Sequence, residues 1–376
     1  MKKTLLAMFC GALLSSHAWA DINVGVTLST TGPAASLGIP ERNTVQLLPT
    51  EIGGEKINYI ILDDTTDTTA SARNARKLIN ENKVDVLIAS TAVPTSAAVS
   101  PLALESKTPQ ITLAPYAAKG DEFAWVFTVP QTNELMASAL IEHMQQNNVK
   151  NLGYIGFADV WGEDWKNALE TLGKDAGITL SSDERYNRTD ASVGGQVLKV
   201  ISGNPDAVLI GATSTPAALP HTELRRMGYK GPIYHTHGVA NQAFLRIGGD
   251  ALNGAVLPVG PIVIWDILPE DHPSKQVAVE YAEAYSAKFG GEDLSPFGAY
   301  MYDAGQILNK AIPVALEQAQ PGTEAFRVAL RDALENVTEV AGTHGVYNFS
   351  AEEHFGHDER ARVLVEVKDK EWVLVE

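Results

Sequence analysis

From Ile22 to Pro261 the sequence repeats one pattern, a short apolar run followed by an amphipathic stretch. The runs "INVGVTL" (22–28), "INYIILDD" (57–64), "VDVLIAS" (84–90) and "PQITLAP" (109–115) show little of the strict apolar–polar alternation of a half-exposed strand. Runs of this kind suit strands covered on both faces. The stretches between them have helical spacing: in "TASARNARKLINEN" (69–82), Ala72, Ala75, Leu78 and Ile79 share a face. A helix is also expected over 39–48, starting at Pro40, and another over "TSAAVSPLALES" (95–106). Strands alternating with crossover helices make a parallel sheet with helices on both sides.

After "WVFTVP" (125–130) and a helix over 132–146, the pattern restarts. The strands "NLGYIGF" (151–157), "ITLSSDERY" (178–186), "DAVLIGAT" (206–213), "PIYHTH" (232–237) and "AVLPVGP" (255–261) are separated by four further helical stretches. Three helices follow, over 273–289, 297–316 and 324–335. The chain closes on "GVYNFS", "ARVLVEV" and "EWVLVE", read as antiparallel strands, the last two joined across 368–370. The fold class expected is therefore α/β, with two doubly wound lobes. No low-complexity linker separates the two halves, so short crossings are expected to join them.

The N-terminus has a different character. Lys2 and Lys3, an apolar run from Leu5 to Leu14, and Ala18-Trp19-Ala20 form the layout of a secretory signal peptide, with cleavage expected after Ala20. The run is too short to span a bilayer. Cys10 is the chain's only cysteine, so the mature chain would have no disulfide and no thiolate ligand. Export without disulfides fits a Gram-negative periplasm. Removing Lys2 and Lys3 takes the formal charge from −17 to −19, which disfavours nucleic acid and anionic membrane surfaces as partners. A monomer is expected.

In doubly wound sheets, ligands bind beyond the carboxyl ends of the strands. This rule selects 29–37, 90–94, 114–116, 157–161, 211–215 and 236–238. Enzyme signatures are missing from the sequence: there is no nucleophile elbow, Walker loop or zinc-protease helix. That leaves only a secreted hydrolase assembled from dispersed Ser, His and Asp. His235 and His237 have the spacing of a metal pair, and strand residues two apart point the same way. No Cys or carboxylate set joins them, so neither a metal nor a cofactor is expected. Asp63 and Asp64 read as a cap or as solvated groups.

The export signal, "VTLSTTGPAASLG", "ILDDTTDTTASARNARKLI", "FADVWGEDW" and "THGVANQAFL" occur in order along the mature chain. Together they resemble the Leu/Ile/Val-binding branch of the type I periplasmic substrate-binding proteins of ABC importers. The resemblance implies a non-enzymatic receptor with a three-crossing hinge. Residues 21–138 and 267–342 would form one lobe, and 139–266 and 343–376 the other. Ligand would favour closure, and a membrane permease would be the partner.

The resemblance also implies a set of ligand contacts. Ser90, Thr91 and Ala92, with the N-terminus of the helix after them, would hold the ligand carboxylate, assisted by Ala114, Pro115 and Tyr116. Leu37, Trp161 and Phe297 would form the apolar walls, with Thr213 and Ser214 opposite. Amino acid receptors of this family carry an acid immediately before the first Gly of the segment matching "THGVAN". Here that residue is His237. A neutral imidazole pairs poorly with an ammonium, and a charged one repels it. The expected cargo is therefore an aromatic carboxylate of the hydroxybenzoate or cinnamate kind. The alternative is a branched-chain amino acid or a small amide.

Overall fold

The computed structural model describes residues 21–291 and 294–375; the expected signal peptide lies outside the described residues. The first sheet contains β1 (Ile22–Leu28), β2 (Glu51–Ile52), β3 (Glu55–Asp63), β4 (Val86–Ala89), β5 (Gln110–Thr112) and β6 (Val126–Thr128). Their order is β2-β3-β1-β4-β5-β6, parallel except for the short β2 at one edge. The second sheet contains β7 (Asn151–Phe157), β8 (Thr179–Tyr186), β9 (Ala207–Gly211), β10 (Ile233–His235) and β11 (Ala255–Val259). These five strands are parallel neighbours in the order β11-β10-β9-β7-β8. A separate hairpin pairs β12 (Val340–Ala341) with β13 (Val346–Tyr347), whereas β14 (Val363–Lys368) and β15 (Glu371–Leu374) add antiparallel strands beside β11. Asp369 and Lys370 both take positive φ in the turn between the last two strands, which matches the twist of a two-residue hairpin.

Twelve α-helices lie among the described residues. α1 (Ala35–Val45), α2 (Thr68–Asn80), α3 (Val93–Ala97) and α4 (Ser100–Ser106) belong with the first sheet. α5 (Asn133–Gln146), α6 (Val160–Ala176), α7 (Gly194–Ser202), α8 (Ala218–Arg226) and α9 (Gln242–Gly248) belong with the second. α10 (Lys275–Phe289), α11 (Pro296–Leu316) and α12 (Glu324–Glu335) follow. Two boundaries differ from the sequence reading. α1 begins at Ala35 and carries Pro40 inside it rather than at its start. The single helix expected over 95–106 is two helices, because Pro101 lacks an amide proton and its ring crowds the preceding turn.

Each sheet has its own core. Val24, Val26, Ile88 and Phe127 pack with Met301, Ile307 and Leu334 of α11 and α12, while Ile155, Leu209 and Tyr234 pack with Leu140, Trp165 and Leu224. The dividing lines differ from those expected. α5 packs along its length on α6 and β11, so the first crossing falls near residue 131 rather than after 138. Residues 343–357 stay with the first sheet. Tyr347 and Phe349 join its core, His354 stacks on Phe127 at 4.2 Å, and His357 Nε2 donates to the Val129 carbonyl. The chain therefore returns to the second sheet near Ala361, not at 343.

The three crossings converge. Gln131 Nε2 donates to the Ala361 carbonyl at 2.7 Å and lies 3.5 Å from His344 Nδ1. Gly260, on the second crossing, fits against both: a Cβ there would sit 2.1 Å from His344 Nδ1 and 2.9 Å from Gln131 Nε2. Tyr300 donates to Gln131 Oε1 and stacks on the His344 ring. Beneath them the buried Asp303 accepts from the Thr343 and His344 amides and from the Thr343 and Tyr347 hydroxyls.

Candidate functional site

The strand ends of both sheets meet around a small, partly open cavity. Its walls include Leu37, Thr91, Ala92, Ala114, Pro115 and Phe297 from the first-sheet side and Trp161, Thr213 and His237 from the second. Each of the six segments selected by the strand-end rule contributes to the lining. The two sides touch directly, since Ser36 Oγ and Ser214 Oγ are 2.7 Å apart and Ser214 Oγ donates to the Pro33 carbonyl.

Three expected site residues are not in the lining. Ser90 is buried and turns its hydroxyl to Asp64 Oδ2 at 2.5 Å. Tyr116 lies in an adjoining groove, bonded to Ser100 and Glu122. Ser214 forms the clasp just described. The loop after β4 also offers less of a helix end than expected, for α3 is only five residues long and its summed dipole is correspondingly small.

Asp63 and Asp64 brace the loop beyond β1. Asp63 accepts from Thr30 N, Thr31 Oγ1 and Thr65 N. Asp64 accepts from Ser29 Oγ, Ser90 Oγ and Thr66 N. Thr91 is fixed in the same way: its hydroxyl donates to Glu41 Oε2 and accepts from the Ser29 amide. Burial pushes the Glu41 carboxyl well above the usual carboxylate range, with the Thr91 hydroxyl pulling the other way.

The histidine pair separates. β10 ends at His235, whose Nε2 lies 2.8 Å from His221 Nδ1, with the rings stacked and Phe244 at the edge. His237 begins a single 3₁₀ turn and faces Trp161 and Trp165 instead, at ring separations of 5.3 and 5.8 Å. Shared direction along a strand fails here because the strand has already ended. Among the described residues no group of three or more His, Cys, Asp or Glu side chains could hold a metal.

Burial alone lowers the His237 pKa to about 3, so the ring is neutral at pH 7. Both of its nitrogens are buried without a protein partner, as are the indole nitrogens of Trp161 and Trp165. Unpaired buried polar atoms are uncommon in a finished fold. Three of them, on His237 and Trp161, belong to side chains that line the cavity and mark a place for a polar group.

Sequence reasoning missed Val93, Leu113, Pro130, Arg188, Gly238 and Tyr300, which also line the cavity. Tyr300 lies one turn beyond Phe297 on α11, a spacing that could have flagged it. Arg188 follows β8. Its Nε donates to Asp159 Oδ2 at 2.7 Å, its Nη1 donates to Thr213 Oγ1 at 3.1 Å, and its guanidinium lies 4.2 Å above the Phe157 ring. It is the one formally charged side chain among the described lining residues.

The family profile described as periplasmic binding protein matches residues 21–371. A crystal structure of an extracellular ligand-binding receptor from Rhodopseudomonas palustris HaA2 is 42% identical, with a TM-score of 0.93 over 95% of this chain and all of that one. A Leu/Ile/Val-binding protein of Rhizobium johnstonii is 22% identical over 90% of this chain and 91% of its own length. A leucine-binding protein from Thermotoga maritima, 21% identical with a TM-score of 0.80, covers 94% of this chain and 98% of its own, and shares the fold. The names of these relatives are those of binding proteins, and where they name a ligand it is a branched-chain amino acid; none names an aromatic acid. Among the described residues no helix is long and apolar enough to cross a membrane. With its two sheets, converging crossings and a cavity where the strand ends meet, the chain belongs to the periplasmic binding protein family, as a two-lobed ligand-binding receptor.

Proposed function

We propose that this receptor closes its lobes on a small organic carboxylate that carries no amine, an aromatic acid of the hydroxybenzoate or cinnamate kind. One observation carries the reading. At the position where the family's amino acid receptors would hold an ammonium stands a buried, neutral His237, and no acidic side chain is found among the described lining residues. An ammonium enclosed there would lose its water without gaining a counter-charge, a large cost. The flat walls of Trp161, Phe297 and Tyr300 suit a ring. The relatives' names favour the other reading, a branched-chain amino acid, and the two separate in one experiment.

A thermal-shift panel of cinnamate, para-hydroxybenzoate, leucine, isoleucine and butyramide reads which ligand stabilises the folded state. The expected result is a rise with the aromatic acids and none with the amino acids. A rise with leucine alone would sink the aromatic reading and establish the amino-acid one. Export belongs to the same proposal. Residues 1–20 direct the chain to the periplasm and are removed after Ala20, and the closed form delivers its cargo to the permease of an ABC importer. The mass of the protein recovered from a periplasmic fraction would show a start at Asp21; a start at Met1 would refute the cleavage.

A further inference from the structure

The geometry points to Arg188, with the Thr213 hydroxyl beside it, as the anchor of the ligand carboxylate, so that the acid group of the cargo lies on the second-sheet side of the cavity. This deepens the proposal of a carboxylate ligand and rests on it. It also differs from the arrangement that the family resemblance implies, with the carboxylate at the loop after β4.

The argument turns on which donors are free. Arg188 is not a loosely solvated surface residue. Asp159, which also caps α6 by accepting from the Gly162 amide, holds Nε, and the Phe157 ring supports the guanidinium plane. These contacts fix the fork and leave Nη2 without an acceptor among the described residues. Thr213 Oγ1 accepts from Arg188 Nη1, and its own proton has no acceptor among the described residues. Two donors, one of them charged, therefore meet on side chains that line the same cavity. That is the arrangement a carboxylate takes in paired form.

Across the cavity the hydroxyls are already committed. The Ser90 proton goes to Asp64, and the Thr91 proton goes to Glu41. Thr91 Oγ1 keeps acceptor capacity, which suits a donor on the ligand better than a second set of anionic oxygens. The simplest competing reading is a structural ion pair between Arg188 and Asp159. A structural pair would affect stability without regard to the charge of the ligand, and that difference makes the test.

The test compares cinnamate with cinnamamide, which has the same shape without the charge, by titration calorimetry on the mature chain and on Arg188→Met. In the unsubstituted protein the acid is expected to bind about 100-fold tighter than the amide, a factor typical of a charged hydrogen-bonded pair in an enclosed site. Arg188→Met is expected to erase that preference while leaving amide affinity within a few-fold. Retention of the preference would overturn the anchor. If Arg188→Met does not fold, Thr213→Val removes the second donor with little change of shape; it is expected to narrow the preference about 10-fold, and an unchanged ratio would overturn the proposal. If the protein binds leucine and no aromatic acid, the same comparison runs with leucine and leucinamide. Loss of the acid preference in Arg188→Met then supports the anchor although the aromatic reading has failed, and an unchanged preference overturns it.

Discussion

Gly260→Ala tests whether the converging crossings act as a hinge. The Gly260 backbone has φ −75° and ψ 157°, a conformation open to alanine, so the substitution brings no backbone penalty. Its whole effect is the methyl group. That methyl would lie 2.1 Å from His344 Nδ1 and 2.9 Å from Gln131 Nε2. The imidazole has little room to retreat, since it stacks on Tyr300 at 3.8 Å and its Nε2 is held by the Pro296 carbonyl at 2.9 Å. Overpacking of this kind costs about 1–3 kcal/mol. The lobes touch in this conformation through Ser36 and Ser214; a hinge predicts that the strain belongs to the touching form and that rotating the lobes apart relieves it. Apparent affinity scales with the closed fraction, so the same 1–3 kcal/mol weakens ligand binding by about 5- to 150-fold. Titration calorimetry reads the affinity, and thermal unfolding of the ligand-free protein reads the stability. The expected result is a large loss of affinity with a nearly unchanged ligand-free midpoint. A midpoint several degrees lower with unchanged affinity would show that the clash persists in both forms and that the crossing is structural.

Three further perturbations have definite outcomes. Ser214→Ala removes both inter-lobe hydrogen bonds of the clasp; about 1–2 kcal/mol is lost from the closed form alone, so stopped-flow release should accelerate about 10-fold, and an unchanged rate would remove the clasp from closure. Burial holds the His221, His237 and His344 pKa values at about 3 and that of His357 at about 4, below the ordinary 6.5. Their stability contribution is full above pH 6.5 and is lost as pH falls, and near pH 5 the unfolded chain binds close to four protons that the folded chain refuses. The slope approaches an order of 5 kcal/mol per pH unit, and urea midpoints that stay level from pH 7 to pH 5 would contradict this burial. Asp303→Asn sets an amide nitrogen against donors now aimed at a carboxylate. Burial raises the Asp303 pKa to about 7, so urea unfolding is best compared at pH 8; a loss of about 3 kcal/mol is expected, and a loss below about 1 kcal/mol would mean that the acid is neutral there.

What the sequence made legible follows from which physical signals are local. The positions of strands and helices come from apolar periodicity, which each segment carries within itself, and α11 and α12 lie where that periodicity puts them. The strand-end rule found a contribution to the cavity in every segment it selected, because parallel connectivity brings those ends to one edge. It failed where a side chain's direction depends on contacts far along the chain. Ser90 and Thr91 are neighbours with the same chemistry, yet Asp64 draws one inward while the other reaches the cavity wall. Nothing within the loop "ASTAVPTS" distinguishes them. Arg188 was invisible for a different reason: it follows β8, the outermost parallel strand of its sheet, where the rule expects no ligand, and it sits in a polar stretch that reads as an ordinary loop. Only folding back over Phe157 and toward Asp159 brings it to the cavity. The histidine pair shows both cases at once. Spacing alone made His235 and His237 look alike, but the strand ends between them, so one imidazole closes a contact with His221 inside the lobe. The other is left facing the cavity with two nitrogens and no partner, which is the condition under which a ligand, rather than the fold, determines its hydrogen bonds.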